Sequence, residues 1–202
     1  MLSYGKRLEK DFYMHDIIET AKKLLGKYIV HIVDGKANVL EITETEAYTG
    51  TEDKACHGYG GKRTKKNMVM YRSGGYAYIF SLYGHAMFNV VTGAENEPTA
   101  VLIRKCRPVD GLNDMAERRY GKDYKSLGKT KLREFTNGPG KACQALGISM
   151  KHNGTNLLSD ELFIASPLAP KSFKISEGKR INLGRSVGEA ADYPYRFFIS
   201  KD

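Results

Sequence analysis

A short acidic run in the sequence could supply acid–base chemistry. Alternate residues of an extended strand point to the same side, so Glu44, Glu46 and Tyr48 would share one face. Two carboxylates on one face repel each other, and repulsion or burial raises a carboxyl pKa toward the range of a general base. An acidic strand face turned to water is the commoner explanation of this spacing, by about two to one. The spacing alone leaves both interpretations open.

A strand rich in aromatic residues is the second feature. Tyr76, Tyr78 and Phe80 alternate and would share a face, and Tyr83-Gly84 follows where a tight turn is expected. Each ring taken singly is best explained as core. A tyrosine at the tip of a hairpin in a basic protein could instead wedge between stacked bases, while Tyr78 or Phe80 stacks against a base.

The chain is basic, with a formal net charge of +9 over 202 residues. Such a charge favours a polyanionic partner, which could be nucleic acid, an anionic membrane surface or an acidic protein. The segments Lys62 to Lys66 and Asn137 to Lys141 could contact phosphates, the second through free amides at a helix start. Further candidates for phosphate contacts are Lys125, Lys129, Lys131 and Arg133.

Neither a metal nor a cofactor is expected. Cys56, Cys106 and Cys143 are odd in number and far apart, which argues against a disulfide framework and a zinc site. No second ligand lies at metal spacing from His57 or His85. No signal peptide and no membrane-length apolar run is visible, so we expect an intracellular, cytoplasmic protein that contacts no membrane.

Hydrophobic periodicity and turn signals predict a single mixed α+β domain over residues 1–202, with an antiparallel sheet and surrounding helices. Asp34-Gly35 indicates a hairpin turn. The predicted helices span 16–25, 110–120 and 139–146. The predicted strands span 28–33, 38–46, 76–82, 88–92, 100–104 and 195–199.

Several motifs occur in a fixed order along nearly the whole chain. They are Glu44-Thr45-Glu46-Ala47-Tyr48 with Asp53, Ala55 and His57; Tyr78 to Gly84; Ala100 to Arg104; Asn137 to Ile148; and Arg180-Ile181 with Pro194 to Phe197. Together they resemble the alkyladenine DNA glycosylases of the human type, a family also called methylpurine or 3-methyladenine DNA glycosylases. The resemblance implies a protruding β-hairpin that inserts into DNA.

The same resemblance implies roles for individual residues. Glu46 matches the carboxylate that activates water, while Arg104 and the backbone carbonyl of Ile181 match the groups that hold this water. The residues that sandwich and hydrogen-bond a flipped base are matched by Tyr48, His57 and Phe80. Tyr83 matches the tyrosine that fills the gap in the duplex, and Asn89 the asparagine that crowds the exocyclic amine of guanine.

The implied activity is base-excision repair without a cofactor. A monomer would flip 3-methyladenine, 7-methylguanine, hypoxanthine or ethenoadenine from double-stranded DNA and hydrolyse the N-glycosidic bond. No lysine matches a Schiff-base nucleophile, which predicts a monofunctional enzyme. The chain departs from the family at Phe80, in a shortened segment between Gly84 and Asn89, and in the basic residues 105–107, all of which bear on substrate range.

Two other functions fit the charge and the acidic strand. One is a non-catalytic module that binds damaged nucleic acid, which would tolerate Glu46→Gln. The other is a metal-dependent nuclease that uses Glu44 and Glu46 and would be sensitive to chelators. Neither explains a tyrosine at a hairpin tip.

Overall fold

Strands with alternating or fully buried side chains form one antiparallel sheet in the computed structural model, which describes residues 3–200. The strands pair in the order β3-β4-β5-β2-β1-β6, and β8 joins β7 to β2. Their bounds are Tyr28–Val33 (β1), Lys36–Tyr48 (β2), Ala77–Leu82 (β3), His85–Thr92 (β4), Thr99–Asp110 (β5), Leu162–Ala165 (β6), Ile175–Gly178 (β7) and Arg196–Ile199 (β8).

The long strand β2 is a central strand of this sheet and pairs with three other strands. Its first half pairs with β1, and its second half pairs with β8 through Glu44, Thr45 and Glu46. Along its other edge it pairs with β5, with register shifts on both sides of Glu44. Such irregularities bend a strand and re-aim its side chains. Glu46 is therefore enclosed by neighbouring strands on both sides.

The helices are short and cover the sheet. They span Ile17–Lys23 (α1), Leu112–Tyr120 (α2), Lys129–Glu134 (α3) and Pro139–Leu146 (α4). Between them and the sheet lies a core whose largest fully buried side chains include Tyr13, Phe88, Phe135 and Phe197. Within residues 3–200, no helix has the length and apolarity needed to cross a bilayer.

Two tight hairpin turns occur where the sequence predicted them. At Asp34-Gly35 and at Tyr83-Gly84, both central residues have positive φ, and Tyr83 has a φ of +50°. This is the turn that matches the twist of paired strands, and glycine adopts it without the steric cost of a side chain. The β3–β4 hairpin ends at this turn, and its tip carries Tyr83 with 92% of its surface exposed.

Most predicted elements are confirmed, including the helix 139–146 and an α1 whose first amides are capped by the Asp16 carboxylate. The second helix was predicted too early, because Asp110 belongs to β5 and the helix begins at Leu112. β5 is longer than predicted since β2 continues opposite it as far as Asp110. Strands β6 and β7 and helix α3 were not predicted, because they are too short to show a periodicity of their own.

Candidate active site

One cavity of about 990 Å³ brings together every residue to which the family resemblance assigned a role in catalysis, base binding or insertion into DNA. Its wall contains parts of β2, β3, β4 and β5, the start of α4 and the segment after β7. A volume of this size accommodates a small organic ligand. The predicted site residues in its wall are Glu46, Tyr48, His57, Phe80, Tyr83, Asn89, Arg104 and Ile181.

Glu46 does not face bulk water, which corrects the commoner interpretation of its spacing. Its side chain is 0% exposed, and its backbone pairs with β5 on one side and with β8 on the other. Its Oε1 accepts a hydrogen bond of 2.8 Å from the Ile181 amide, and its Oε2 accepts one of 2.9 Å from the Tyr48 hydroxyl. A carboxylate oxygen has two lone-pair positions, so each oxygen keeps one for another donor.

Arg104 lies between the two carboxylates of the acidic strand. Its Nε is 3.5 Å from Glu46 Oε1 and 3.9 Å from Glu44 Oε1. The Glu44 carboxylate also accepts a hydrogen bond of 3.2 Å from Arg196. The buried Nε of Arg104 makes no hydrogen bond with the part of the chain that the structure describes. Arg104 therefore brings a positive charge to the cavity wall.

Burial raises the pKa of Glu46 above its usual range, and the nearby charge of Glu44 acts in the same direction. The Arg104 charge and the donors from Ile181 and Tyr48 oppose the shift without cancelling it. Burial and the charge of Glu46 raise the pKa of Tyr48, which therefore stays a protonated donor. A carboxylate with a raised pKa in a cavity is a typical general base.

Aromatic rings form one wall of the cavity. The His57 ring lies edge-to-face on Phe80 with centroids 4.6 Å apart, and its Nδ1 is 2.7 Å from the Tyr78 hydroxyl. Burial lowers the pKa of His57, and the charge of Lys66 lowers it further. The Lys66 ammonium lies 5.2 Å from the centre of the Phe80 ring. This wall presents a neutral imidazole and the face or edge of a phenyl ring to a ligand.

Asn89 sits on β4 directly opposite Tyr78 of β3, and it is buried. Its side-chain amide donates to the backbone oxygens of Tyr78 and Met87, both at 3.0 Å. These two bonds fix the orientation of the side chain in the cavity wall. Asn89 thus lies in the cavity wall despite the shortened segment after Gly84, and its role toward guanine stays a prediction.

The backbone of Ile181 makes a contact that the sequence analysis did not predict. Its amide donates a hydrogen bond to Glu46. The carbonyl's contact with a water stays a prediction. The amide has a structural role instead, since it fixes one oxygen of the Glu46 carboxylate.

A buried ion pair behind the cavity had no role in the sequence analysis. Arg180 makes two hydrogen bonds to the Asp53 carboxylate, and both side chains are 0% exposed. Arg180 also donates to the backbone oxygens of Ala47 and Ala190, each at 2.9 Å. Arg180, which precedes Ile181, is thus anchored to Ala47, which follows Glu46. Its signal in the sequence was an aspartate between Glu46 and His57, which needs a cation once it is buried.

The basic segment 62–66 lies beside the cavity. Asn67 holds it through its side-chain amide, which donates to the backbone oxygens of His57 at 2.7 Å and Lys62 at 2.8 Å. At the opposite wall, a Cβ on Gly140 would approach Cβ of His85 to 2.9 Å, so only glycine lets the start of α4 pack on the hairpin. Asn137 to Lys141 line the cavity, whereas the predicted phosphate contacts Lys125, Lys129, Lys131 and Arg133 are not among its lining residues.

Comparison with known proteins gives a consistent result. Residues 11–202 match the family model described as methylpurine-DNA glycosylase. A protein of Desulfitobacterium hafniense is 45% identical over 195 residues, which are 96% of this chain and 95% of that protein. One of Clostridium novyi is 43% identical over 96% of this chain and 95% of that protein, and one of Bacillus cereus is 45% identical over 93% and 92%. All three bear the name "Putative 3-methyladenine DNA glycosylase".

Proposed function

Because this chain belongs to the methylpurine-DNA glycosylase family and is a DNA glycosylase, we propose that it excises damaged purines from duplex DNA with Glu46 as the general base. The observation that carries the proposal is the buried Glu46 carboxylate, which is raised in pKa and opens onto a cavity with an aromatic wall. In the proposed reaction, Glu46 takes a proton from a water molecule as that water attacks the anomeric carbon and the base leaves. General-base help of this kind is worth about 10²–10⁴-fold in rate.

The surroundings of Glu46 suit this task. The Tyr48 hydroxyl and the Ile181 amide use two of its lone pairs, which orients the carboxylate and leaves the other two for water. Arg104 holds the water together with the carbonyl of Ile181 in this proposal. The Arg104 charge lies 3.5 Å from Glu46 and favours its ionised form, the form a base requires.

The aromatic wall supports binding of a flipped purine. Tyr48, His57 and Phe80 sandwich and hydrogen-bond the base. The Nδ1 of His57 is occupied by Tyr78, so Nε2 is the atom free to contact the base edge. Alkylated purines are cationic, and a cation is attracted to the face of an aromatic ring. The substrates proposed are 3-methyladenine, 7-methylguanine, hypoxanthine and ethenoadenine, with Asn89 excluding the exocyclic amine of guanine.

Access to the base requires extrusion from the helix, at a cost of a few kcal/mol. We propose that the exposed ring of Tyr83 fills the space that the base leaves, while Lys62 to Lys66 contact phosphates. The protein would act as a monomer on double-stranded DNA. No strand cleavage is proposed, because none of the motifs supplies a lysine nucleophile.

Single-turnover release of free base tests the proposal. The substrate is a duplex with one hypoxanthine or one 3-methyladenine, in the presence of chelator, and the proteins are wild type, Glu46→Gln and Glu44→Gln. We expect the Glu46 variant to lose about 10²-fold or more. Glu44 is the matched control, since it contacts the same arginine, and it should lose much less.

Equal losses in the two variants would reject Glu46 as the specific base. The catalytic proposal would be rejected if wild type and Glu46→Gln both bound the damaged duplex and neither released the base. A covalent DNA adduct trapped by borohydride would reject the monofunctional mechanism.

A further inference from the structure

A second cluster of functional side chains lies outside the cavity. It consists of His31 in β1, His152 in the 3-10 turn Met150–His152, and Glu161 just before β6. One ligand atom from each residue lies within 4.8 Å of the others. The two imidazoles are buried and meet edge-to-face with centroids 4.9 Å apart, whereas Glu161 is exposed. We propose that these three residues form a binding site for a divalent transition metal of the zinc class.

The hydrogen bond of His31 prepares that residue as a ligand. Its Nδ1 lies 2.7 Å from the backbone oxygen of Leu146. A carbonyl only accepts, so Nδ1 carries the proton and Nε2 keeps a lone pair. Metal-binding histidines are oriented in this way by a carbonyl on the opposite nitrogen.

His152 supplies an independent observation. Its Nε2 is buried and has no hydrogen-bond partner among residues 3–200, which is unusual for a buried polar atom. Its Nδ1 accepts a hydrogen bond of 3.0 Å from the Ser149 amide and lies 3.3 Å from the Ser149 oxygen. Metal binding at Nε2 requires the proton of the neutral ring to lie on Nδ1, which then donates to the Ser149 oxygen and gives up the bond from the amide. The tautomer changes, and no net proton is released.

The donor set selects the class of ion. Two imidazole nitrogens and one carboxylate are zinc ligands, while magnesium and calcium prefer all-oxygen sites. The three ligand atoms lie within 4.8 Å of one another, and ligands of a tetrahedral zinc lie roughly 3.3 Å apart. Any wider separation would have to close when the metal binds, and Glu161 is the exposed member of the three.

The metal would have a structural role, as a crosslink between two segments, and would take no part in catalysis. His31 pairs with Asn38 of β2, and Asn38 lies about 26 Å from Glu46 along that strand. Past His152, the chain runs back to β3, where the Asn153 side chain accepts a hydrogen bond from the Ile79 amide. A metal would thus connect β1 to the segment that supports the base of the hairpin. The sequence analysis did not predict this site, because its ligands are distant in the chain.

Metal titration of the full-length protein tests the site. After removal of metals with a chelator, Co²⁺ is added and its visible absorption followed, and Zn²⁺ retained after dialysis is counted. The proteins are wild type, Glu161→Gln, His152→Gln, Asp160→Asn and, as a test of the active-site cavity, Glu46→Gln. Asp160 is the matched control, because it is the neighbouring exposed carboxylate and undergoes the same change of charge.

We expect wild type and Asp160→Asn to bind one ion with the absorption of four-coordinate cobalt. Glu161→Gln and His152→Gln should bind at least about 10-fold more weakly, since even a residue that merely orients a ligand costs this much. Equal affinity in wild type and Glu161→Gln, or no retained zinc in wild type, would overturn the proposal. If His152→Gln does not fold, the affinity of Glu161→Gln tests the proposal by itself, because Glu161 is exposed. Loss of the ion in Glu46→Gln would place it in the active-site cavity and would also overturn the proposal.

Discussion

Arg180 and Asp53 form a buried, bidentate ion pair. Arg180 immediately precedes Ile181, whose amide donates a hydrogen bond to Glu46. Removal of one partner of such a pair leaves an uncompensated buried charge, which typically costs 3–5 kcal/mol. The pair therefore links the stability of the domain to the geometry of the proposed base.

We predict that Asp53→Asn lowers the free energy of unfolding by about 3–5 kcal/mol. Single-turnover base release should also slow, because a loosened Arg180 displaces the Ile181 amide from Glu46. Urea unfolding and base-release kinetics measure the two effects. The control is Asp192→Asn, which removes an exposed ion pair to Lys179 and should cost less than about 1 kcal/mol. Similar costs in the two variants would contradict the role given to the buried pair.

The rate of base release should depend on the ionisation of Glu46. A base acts in its deprotonated form, so the rate should rise with pH and level off above the pKa of Glu46, at a midpoint above the ordinary value of 4.5. Single-turnover rates across the pH range measure this rise. The rate of Glu46→Gln should not rise with pH in the same range. A rise that persists in that variant would assign the ionisation to another group.

The same shift has an opposite consequence for stability. A carboxyl with a raised pKa in the folded protein binds more protons when folded than when unfolded, so its contribution to stability is lost as pH rises from 4.5 through the folded pKa. Wild type should therefore lose stability relative to Glu46→Gln as pH rises through this window. Urea unfolding at several pH values measures the difference, and a difference that is constant with pH would contradict the burial effect.

Tyr83 should matter for duplex DNA and not for folding. Its ring is 92% exposed, and Asn accepts the positive φ at this turn, so Tyr83→Asn should change the free energy of unfolding by less than about 0.5 kcal/mol. Loss of a stacking ring should slow release from a duplex by roughly 5- to 150-fold. Release from a single strand, where no gap forms, should change little. The control is Leu168→Ala, another exposed apolar residue, at 64%. Equal effects on duplex and single strand would reject the gap-filling role.

Local patterns were sufficient for much of the fold. The hairpin turns at Asp34-Gly35 and Tyr83-Gly84 and the helix Pro139–Leu146 follow from turn residues, a proline and a terminal glycine, all of which act within a few residues. The ends of β5 did not follow, because the length of a strand depends on its partner. β5 continues to Asp110 since β2 lies opposite it.

The sequence by itself determined which residues could do chemistry, because side-chain type and the two-residue period of a strand are local properties: Glu44, Glu46 and Tyr48 on one face, and a tyrosine at a hairpin tip. Only the tertiary structure decided whether Glu46 is a solvated or a buried side chain. Its burial, its raised pKa and its contacts with Arg104 and Ile181 come from strands and loops distant in the chain. The Asp53–Arg180 pair and the His31–His152–Glu161 cluster likewise required the fold, since desolvation and coordination depend on distance in space and not on spacing in the chain.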